Sequence, residues 1–389
     1  MPDKKSSSEL FNNIDKDKEK IFNLLKNLVE IESPSGDIEG ISRCAKLISD
    51  AFEGIDASIS KTETALGPII KIQIMPHNIL PKNNLLILGH MDTVYPKGTT
   101  KAFPFRNNGN ELWGPGIFDM KAGLVQAVFA LRYLSKCQQD LVSSVTLLCT
   151  PDEEIGSVES KQIIEKEAAV SSHVFITEPS SGEMGALKTS RSGRAQYYLR
   201  INGLSSHAGL EPQLGVSAIE ELAYQIVKIY TLAKADEGLH INVGLVRGGS
   251  AVNVIPDYAE AKIDVRFINH HQMDYVEKSF SALKPENPRI TMSLDGGIER
   301  PSWEENSEGN DLFKSAKEIG KVMGLSLTSV HAGGSGDGNF TAALGVPTLD
   351  GLGPKGSGAH SLGREKINFA SLLERTALLY RLIKHIASE

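Results

Sequence analysis

The sequence lacks several things at once, and each absence removes a class of protein. It has three cysteines, Cys44, Cys137 and Cys149, with no Cys-x-x-Cys spacing. An odd, scattered set reads as small buried hydrophobes in a reducing compartment, not as a disulfide framework. No apolar run is long enough to span a bilayer, and the charged first twenty residues have no apolar core of a signal peptide. The expected location is therefore the cytoplasm, unless a leader has been removed. Lys and Arg number 41 against 48 Asp and Glu, a net charge of −7 with no basic stripe. Nucleic acid and membrane are not expected as partners, whereas an anionic small substrate needs only one or two local arginines. There is no His-Glu-x-x-His for a thermolysin-like zinc site and no Gly-x-Ser-x-Gly elbow around Ser335. Gly351 to Gly356 fits Gly-x-Gly-x-x-Gly, but Pro354 and further glycines follow where a dinucleotide-binding helix would start.

What remains is a chain of 389 residues, 40% hydrophobic and 23% charged, a length natural for two domains. Residues 1–13 read as frayed. Ile21, Phe22, Leu25, Leu28 and Val29 then recur at helical spacing, and a second helix is expected over 38–52. Apolar runs at 69–74, 85–88, 145–149 and 174–177 read as buried strands, with a helix at 121–135 between them. This alternation predicts an α/β fold with a mainly parallel sheet covered by helices. From about Ser190 the order becomes β-α-β-β-α-β, the split ferredoxin-like unit. After Pro301 the α/β pattern resumes. The expected domains are 1–189 and 302–389 as one catalytic domain, with 190–301 inserted as an α+β domain.

Ligands of open α/β sheets bind beyond the carboxyl ends of the strands. The strand at 85–88 leads to Gly89-His90-Met91-Asp92, that at 145–149 to Asp152-Glu153-Glu154, and that at 174–177 to Glu178. A strand at 347–349 leads through a glycine loop to His360, and Asp119 opens the helix after Gly114-Pro115-Gly116. Each has a plain alternative: a core histidine, a helix N-cap, a solvated acidic loop. Together at one rim, two histidines and several carboxylates suit borderline divalent metals, zinc first. Asp92 is placed to take the second N–H of the His90 ring. Five ligands with one shared carboxylate would serve two metals.

The chain resembles the M20 family of dinuclear zinc peptidases and amidohydrolases, particularly its glutamate carboxypeptidase branch. The resemblance rests on Gly-His-Met-Asp-Thr-Val-Tyr-Pro (89–96), Gly-Pro-Gly-Ile-Phe-Asp-Met-Lys-Ala-Gly (114–123), Thr-Pro-Asp-Glu-Glu-Ile-Gly-Ser (150–157) and Glu178-Pro179. Ser206-His207-Ala208-Gly209, Asn253-Val254-Ile255-Pro256, Asp264-Val265-Arg266, Gly-Gly-Ser-Gly-Asp (333–337) and Gly-Ser-Gly-Ala-His (356–360) continue it in order. It implies a zinc-exopeptidase-like fold whose insert is a lid and dimerisation domain. His90, Asp119 and Glu178 would hold one zinc; Asp119 as bridge, Glu154 and His360 would hold the other. Glu153 would be the general base toward a metal-activated water, with a cis bond at Asp119–Met120.

By the same resemblance, His207 would stabilise the oxyanion at the active site of a second subunit, and Asn253 would add a donor. Arg300 would clamp the substrate carboxylate, with a surface ion pair as the alternative; Arg266 is a further candidate, its alternative being the structural role of a strand arginine near a dimer interface. Ala122 and Ser335-Gly336 depart from the commoner family residues. The implied activity releases a C-terminal amino acid, such as glutamate, from N-acyl or peptide substrates carrying a free carboxylate. Deacylation of the acetylornithine or succinyl-diaminopimelate type is the alternative, and a non-catalytic metal-binding dimeric scaffold is the rival of another class.

Overall fold

The computed structural model describes residues 4–77, 79–234 and 237–389, with side chains from Asn13 onward. Two compact units emerge. The first comprises the chain up to Ser190, Glu305–Ala332 and Gly336–Glu389; the second comprises Arg191–Glu304 and takes in Gly333–Ser335.

The first unit is organised by a six-stranded sheet, in spatial order Ser58–Thr62, Ile69–Ile74, Ser144–Thr150, Asn84–His90, Ser171–Ile176 and Thr348–Leu349. The last four pair in parallel; the first two join antiparallel at one edge. The central strands Asn84–His90 and Ser144–Thr150 are buried along their whole length. Both faces are covered, so their side chains alternate between two cores instead of between core and water. Leu85, Ile87, Val145 and Leu147 enter the larger core, whereas Leu86, Leu88 and Leu148 enter the smaller one. Each such side chain contributes roughly 1.5–3 kcal/mol.

Helix Ala122–Leu134 fills the larger core, and all its residues but Arg132 are buried. An apolar perimeter of this kind belongs to a helix packed on every side. It lies against the sheet and the C-terminal helix Phe369–Ala387. Gly123 is required where this helix meets the sheet: a Cβ there would stand 1.9 Å from the carbonyl oxygen of Thr177.

Two expectations need correction. The frayed start over residues 1–13 is overturned from Lys4 onward by a helix running Lys4–Glu30, which carries the later apolar turns back through the polar leader; residues 1–3 lie outside the described residues. The short strand Leu187–Arg191, which pairs with Ser329–Ala332, was not anticipated; its Lys, Thr, Ser and Arg give no apolar run.

The second unit is a four-stranded antiparallel sheet, in order His240–Gly248, Tyr258–Phe267, Gly193–Asn202 and Thr291–Arg300. With helices Ala218–Tyr230 and His270–Ser281 it has the β-α-β-β-α-β order of a split ferredoxin-like unit. Residues alternating inward from the strands, such as Ala195, Tyr197, Leu199 and Ile201, pack with Leu222, Ile229, Val276 and Phe280 from the helices.

Candidate metal centre

Parallel pairing brings the chemistry together. His90 lies opposite Thr150, and the Met91 N–H donates to the Thr150 carbonyl, so the segments leaving these two strands run side by side. The third strand pairs Ile176 with Leu88, which delivers Glu178 to the same rim. The loop carrying His360 reaches the same rim, with His360 itself in the left-handed region at φ +58°. Asp119 sits in a wide turn, Ile117–Lys121, rather than at a helix N-cap, and the Asp119–Met120 peptide is cis.

The central relation is that of Asp119 to two histidines. Its Oδ1 lies 3.2 Å from His90 Nε2, and its Oδ2 lies 3.3 Å from His360 Nε2. Glu178 Oε1 stands 3.4 Å from His90 Nε2, and Glu154 Oε2 stands 3.2 Å from His360 Nε2. One carboxylate therefore faces both rings with different oxygens, and each ring has an acid of its own. Ligand atoms of His90, Asp119 and Glu154 all lie within 4.8 Å of one another, as do those of His90, Glu153 and Glu178.

Behind this set stands Asp92, fully buried. Its Oδ1 is 3.3 Å from His90 Nδ1, and it accepts the backbone N–H groups of Glu153 (3.1 Å) and Glu154 (3.2 Å) and the hydroxyl of Ser35 (2.6 Å). His90 Nδ1 also lies 3.0 Å from the Asp92 backbone carbonyl, so with Nδ1 turned to Asp92, Nε2 is left to face the other carboxylates. Glu153 and Glu154 lie in a single tight turn, Glu153–Ile155. Their divergence thus comes from helical rotation, not from the alternation of an extended strand. Asp152 shapes the exit of that turn by accepting from the Glu159 and Ser160 amides and the Ser160 hydroxyl.

The electrostatics call for added positive charge. Burial works against a charged His90, but Asp119, Asp92 and Glu178 outweigh it and hold its pKa well above the ordinary histidine range. Asp119 and Glu154 push His360 up to about 10. Burial would raise Asp119, yet the two rings hold it below the usual carboxylate range, whereas burial prevails at Glu154 and raises it. Four carboxyl groups, Asp119, Glu153, Glu154 and Glu178, meet only two imidazoles here. Glu154 Oε1 is moreover buried without a hydrogen-bond partner. A buried carboxylate oxygen with no donor is costly unless a cation meets it. The donor set of imidazole and carboxylate fits zinc-like divalent metals, with enough ligands for two.

The remaining candidates lie in the second unit. Exposed His207 ends the two-residue strand Ser206–His207, and its Nδ1 accepts the N–H groups of Gly209 and Leu210, each at 3.1 Å. A neutral ring held in this way carries its proton on Nε2. Asn253 is brought beside it: its carbonyl accepts the Ala208 N–H, and Val254 pairs with His207. Arg300 is buried at the end of its strand, opposite Arg194. Arg266 is engaged by Asp264, with Nε 2.8 Å from Oδ2. Burial would raise Asp264, but Arg266 and Arg194 outweigh it and hold its carboxyl below the ordinary range.

Sequence reasoning missed the supports that grip backbone. Glu365 accepts three main-chain N–H groups of the Asp119 loop, and Lys121 donates to the carbonyls of Leu28 (2.9 Å) and Ile31 (2.5 Å). An isolated loop acid or helix lysine has no spacing by which to find such a partner.

Residues 86–385 match the description of Peptidase family M20/M25/M40. The chain belongs to this family. As an M20 protein it is a hydrolytic enzyme of the metallopeptidase and amidohydrolase kind. Carboxypeptidase G2 of Pseudomonas sp. is 29% identical over 380 residues, 95% of this chain and 89% of the relative. Succinyl-diaminopimelate desuccinylase of Thioalkalivibrio sulfidiphilus is 27% identical over 327 residues, 77% of this chain and 84% of that protein. Aminopeptidase PepT of Bacillus cereus has a similar solved fold, with a TM-score of 0.78 at 22% identity, covering 95% of this chain and 99% of that one. Among the described residues, no helix of this M20 chain is long and apolar enough to cross a membrane.

Proposed function

We propose that this M20 enzyme is a dinuclear zinc exopeptidase that hydrolyses the amide bond releasing a C-terminal amino acid, such as glutamate, from N-acyl or short peptide substrates. The observation that carries the reading is Asp119, whose two oxygens face His90 and His360 separately. His90, Asp119 and Glu178 would hold one divalent ion; Asp119, Glu154 and His360 would hold the other. When bound, such a pair polarises a carbonyl and lowers the pKa of a water molecule.

Glu153 acts as general base, taking the proton of the attacking water and returning it to the leaving amine. Its backbone N–H is fixed by Asp92, which also orients His90, so base and ligand share one support. His207, with Nδ1 occupied by two amides, presents Nε2–H to developing negative charge, and Asn253 lies beside it. Arg300 takes the substrate carboxylate, with Arg266 a weaker candidate because Asp264 already engages it.

The active form in this reading is a homodimer, in which His207 serves the site of a second subunit. Exposed Val227 and Tyr230 on helix Ala218–Tyr230, and Val246 on the edge strand His240–Gly248, support an association through the second unit. The proposed location is the cytoplasm, and neither nucleic acid nor membrane is among the partners.

The similarity to carboxypeptidase G2 along nearly the whole chain favours the carboxypeptidase reading. That to succinyl-diaminopimelate desuccinylases favours deacylation of N-acylated basic or dibasic amino acids as the second. Turnover of zinc- or cobalt-loaded protein on acyl-glutamates, N-acetylornithine and N-succinyl-diaminopimelate separates them. The proposal expects glutamate release to dominate; a preference for either of the other two would replace it, and inertness toward all three would remove the substrate class.

A further inference from the structure

Glu365 is fully buried, and its carboxylate is held mainly by backbone N–H groups, with the Tyr95 side chain beside it. Three of its partners are main-chain N–H groups. Oε2 accepts the Gly116 N–H at 3.0 Å, and Oε1 accepts those of Phe118 at 2.9 Å and Asp119 at 3.0 Å. Successive N–H groups converging on one anion form a rigid nest. This nest is the turn that carries Asp119.

The position of Glu365 in the chain adds a second link. It follows His360 by five residues and directly precedes the strand Lys366–Asn368, which pairs antiparallel with Glu111–Trp113. The Gly114 N–H also donates to the Glu365 carbonyl at 3.3 Å. The His360 loop and the Asp119 loop therefore diverge from one short ladder, and Glu365 ties them together where they part.

The geometry points to Glu365 as a positioning residue for the metal centre: its carboxylate fixes the Asp119 loop so that Asp119 meets His90 and His360 together. This inference rests on the reading of the cluster as a two-metal site. A glutamine at 365 would keep the volume but offer one acceptor oxygen, and its amide N–H groups would face main-chain donors. The loop would turn, and the ligand that both metal positions share would move.

The test is a zinc titration of metal-free protein against a chromophoric chelator, with circular dichroism and thermal melting on the same samples. Asn368→Ala is the control, because Asn368 lies on the same segment and caps the C-terminal helix without touching the Asp119 loop. Glu365→Gln is expected to bind zinc at least about ten-fold more weakly than wild type, as loss of a ligand's support does. Asn368→Ala is expected to melt earlier with zinc affinity kept. Glu365→Asp retains two acceptor oxygens and should recover part of the affinity. If the glutamine variant does not fold, the aspartate variant decides by the same comparison with Asn368→Ala. Zinc affinity in the Glu365 variants no lower than in Asn368→Ala would overturn the inference and leave the metal reading intact. Wild-type protein that takes up no zinc would instead remove the reading on which the inference stands.

Discussion

Asp92 Oδ1 lies 3.3 Å from His90 Nδ1, and the same carboxylate receives the amides of Glu153 and Glu154. This buried carboxylate thus holds the turn that presents both glutamates and joins the Asp92 carbonyl, 3.0 Å from Nδ1, in orienting a ligand ring. Asp92→Asn keeps the shape but directs an amide N–H group at donors. It should lower metal affinity about 10–100-fold and reduce turnover, and cost about 1–3 kcal/mol of stability from unsatisfied buried groups. Zinc titration and denaturant unfolding measure the two effects; a stability loss with unchanged zinc binding would separate Asp92 from the metal site.

Metal uptake should release protons. In the metal-free chain the surrounding carboxylates raise the pKa of both rings, that of His360 up to about 10. A ligand histidine must be neutral, so zinc affinity should rise with pH across the neutral range. Calorimetry in buffers of different ionisation enthalpy reads the released protons directly. The metal-free fold should behave in the opposite sense. A raised histidine pKa contributes stability that is complete below the ordinary value of 6.5 and fades as pH climbs toward about 10. The melting temperature of metal-free protein should fall over that window, modestly because His360 is half-exposed.

Gly123→Ala should be severe for so small a change. The added methyl would meet the Thr177 carbonyl oxygen at 1.9 Å, and that strand end leads to Glu178. Relief requires the helix to move from the sheet, at a cost of about 1–3 kcal/mol or more. Thermal melting and zinc content should fall together; normal values of both would show that the helix has room.

His207→Ala should keep the metals and lose turnover, since the ring lies outside the ligand set. If His207 serves a second subunit, mixing this variant with Glu153→Gln under conditions of subunit exchange should restore activity that neither has alone. Mixtures as inactive as their parents would place His207 in its own subunit's chemistry.

Much of this was legible in the chain, for a physical reason. A strand buried on both faces is mostly apolar, so the polar residues at 90, 92, 152–154 and 178 stand out where the strands end. The second unit's element order was readable for a similar reason, as in the alternation of Tyr258–Phe267. The helix start before Ile14 was hidden because its residues are mostly polar, and the strand Leu187–Arg191 because it forms by pairing with Ser329–Ala332 rather than from an apolar run of its own. Glu365 was hidden more completely. Three of its partners are backbone N–H groups, which every residue has, so no side-chain pattern marks them.

The central claim is a division of labour between two adjacent carboxylates, one beside His360 and the other grouped with His90 and Glu178. The most direct measurement is bound zinc and turnover of Glu153→Gln and Glu154→Gln side by side. Glu153→Gln should retain the wild-type metal content and lose nearly all turnover; Glu154→Gln should lose metal as well. Equal metal loss in both variants, or normal turnover in Glu153→Gln, would contradict the account.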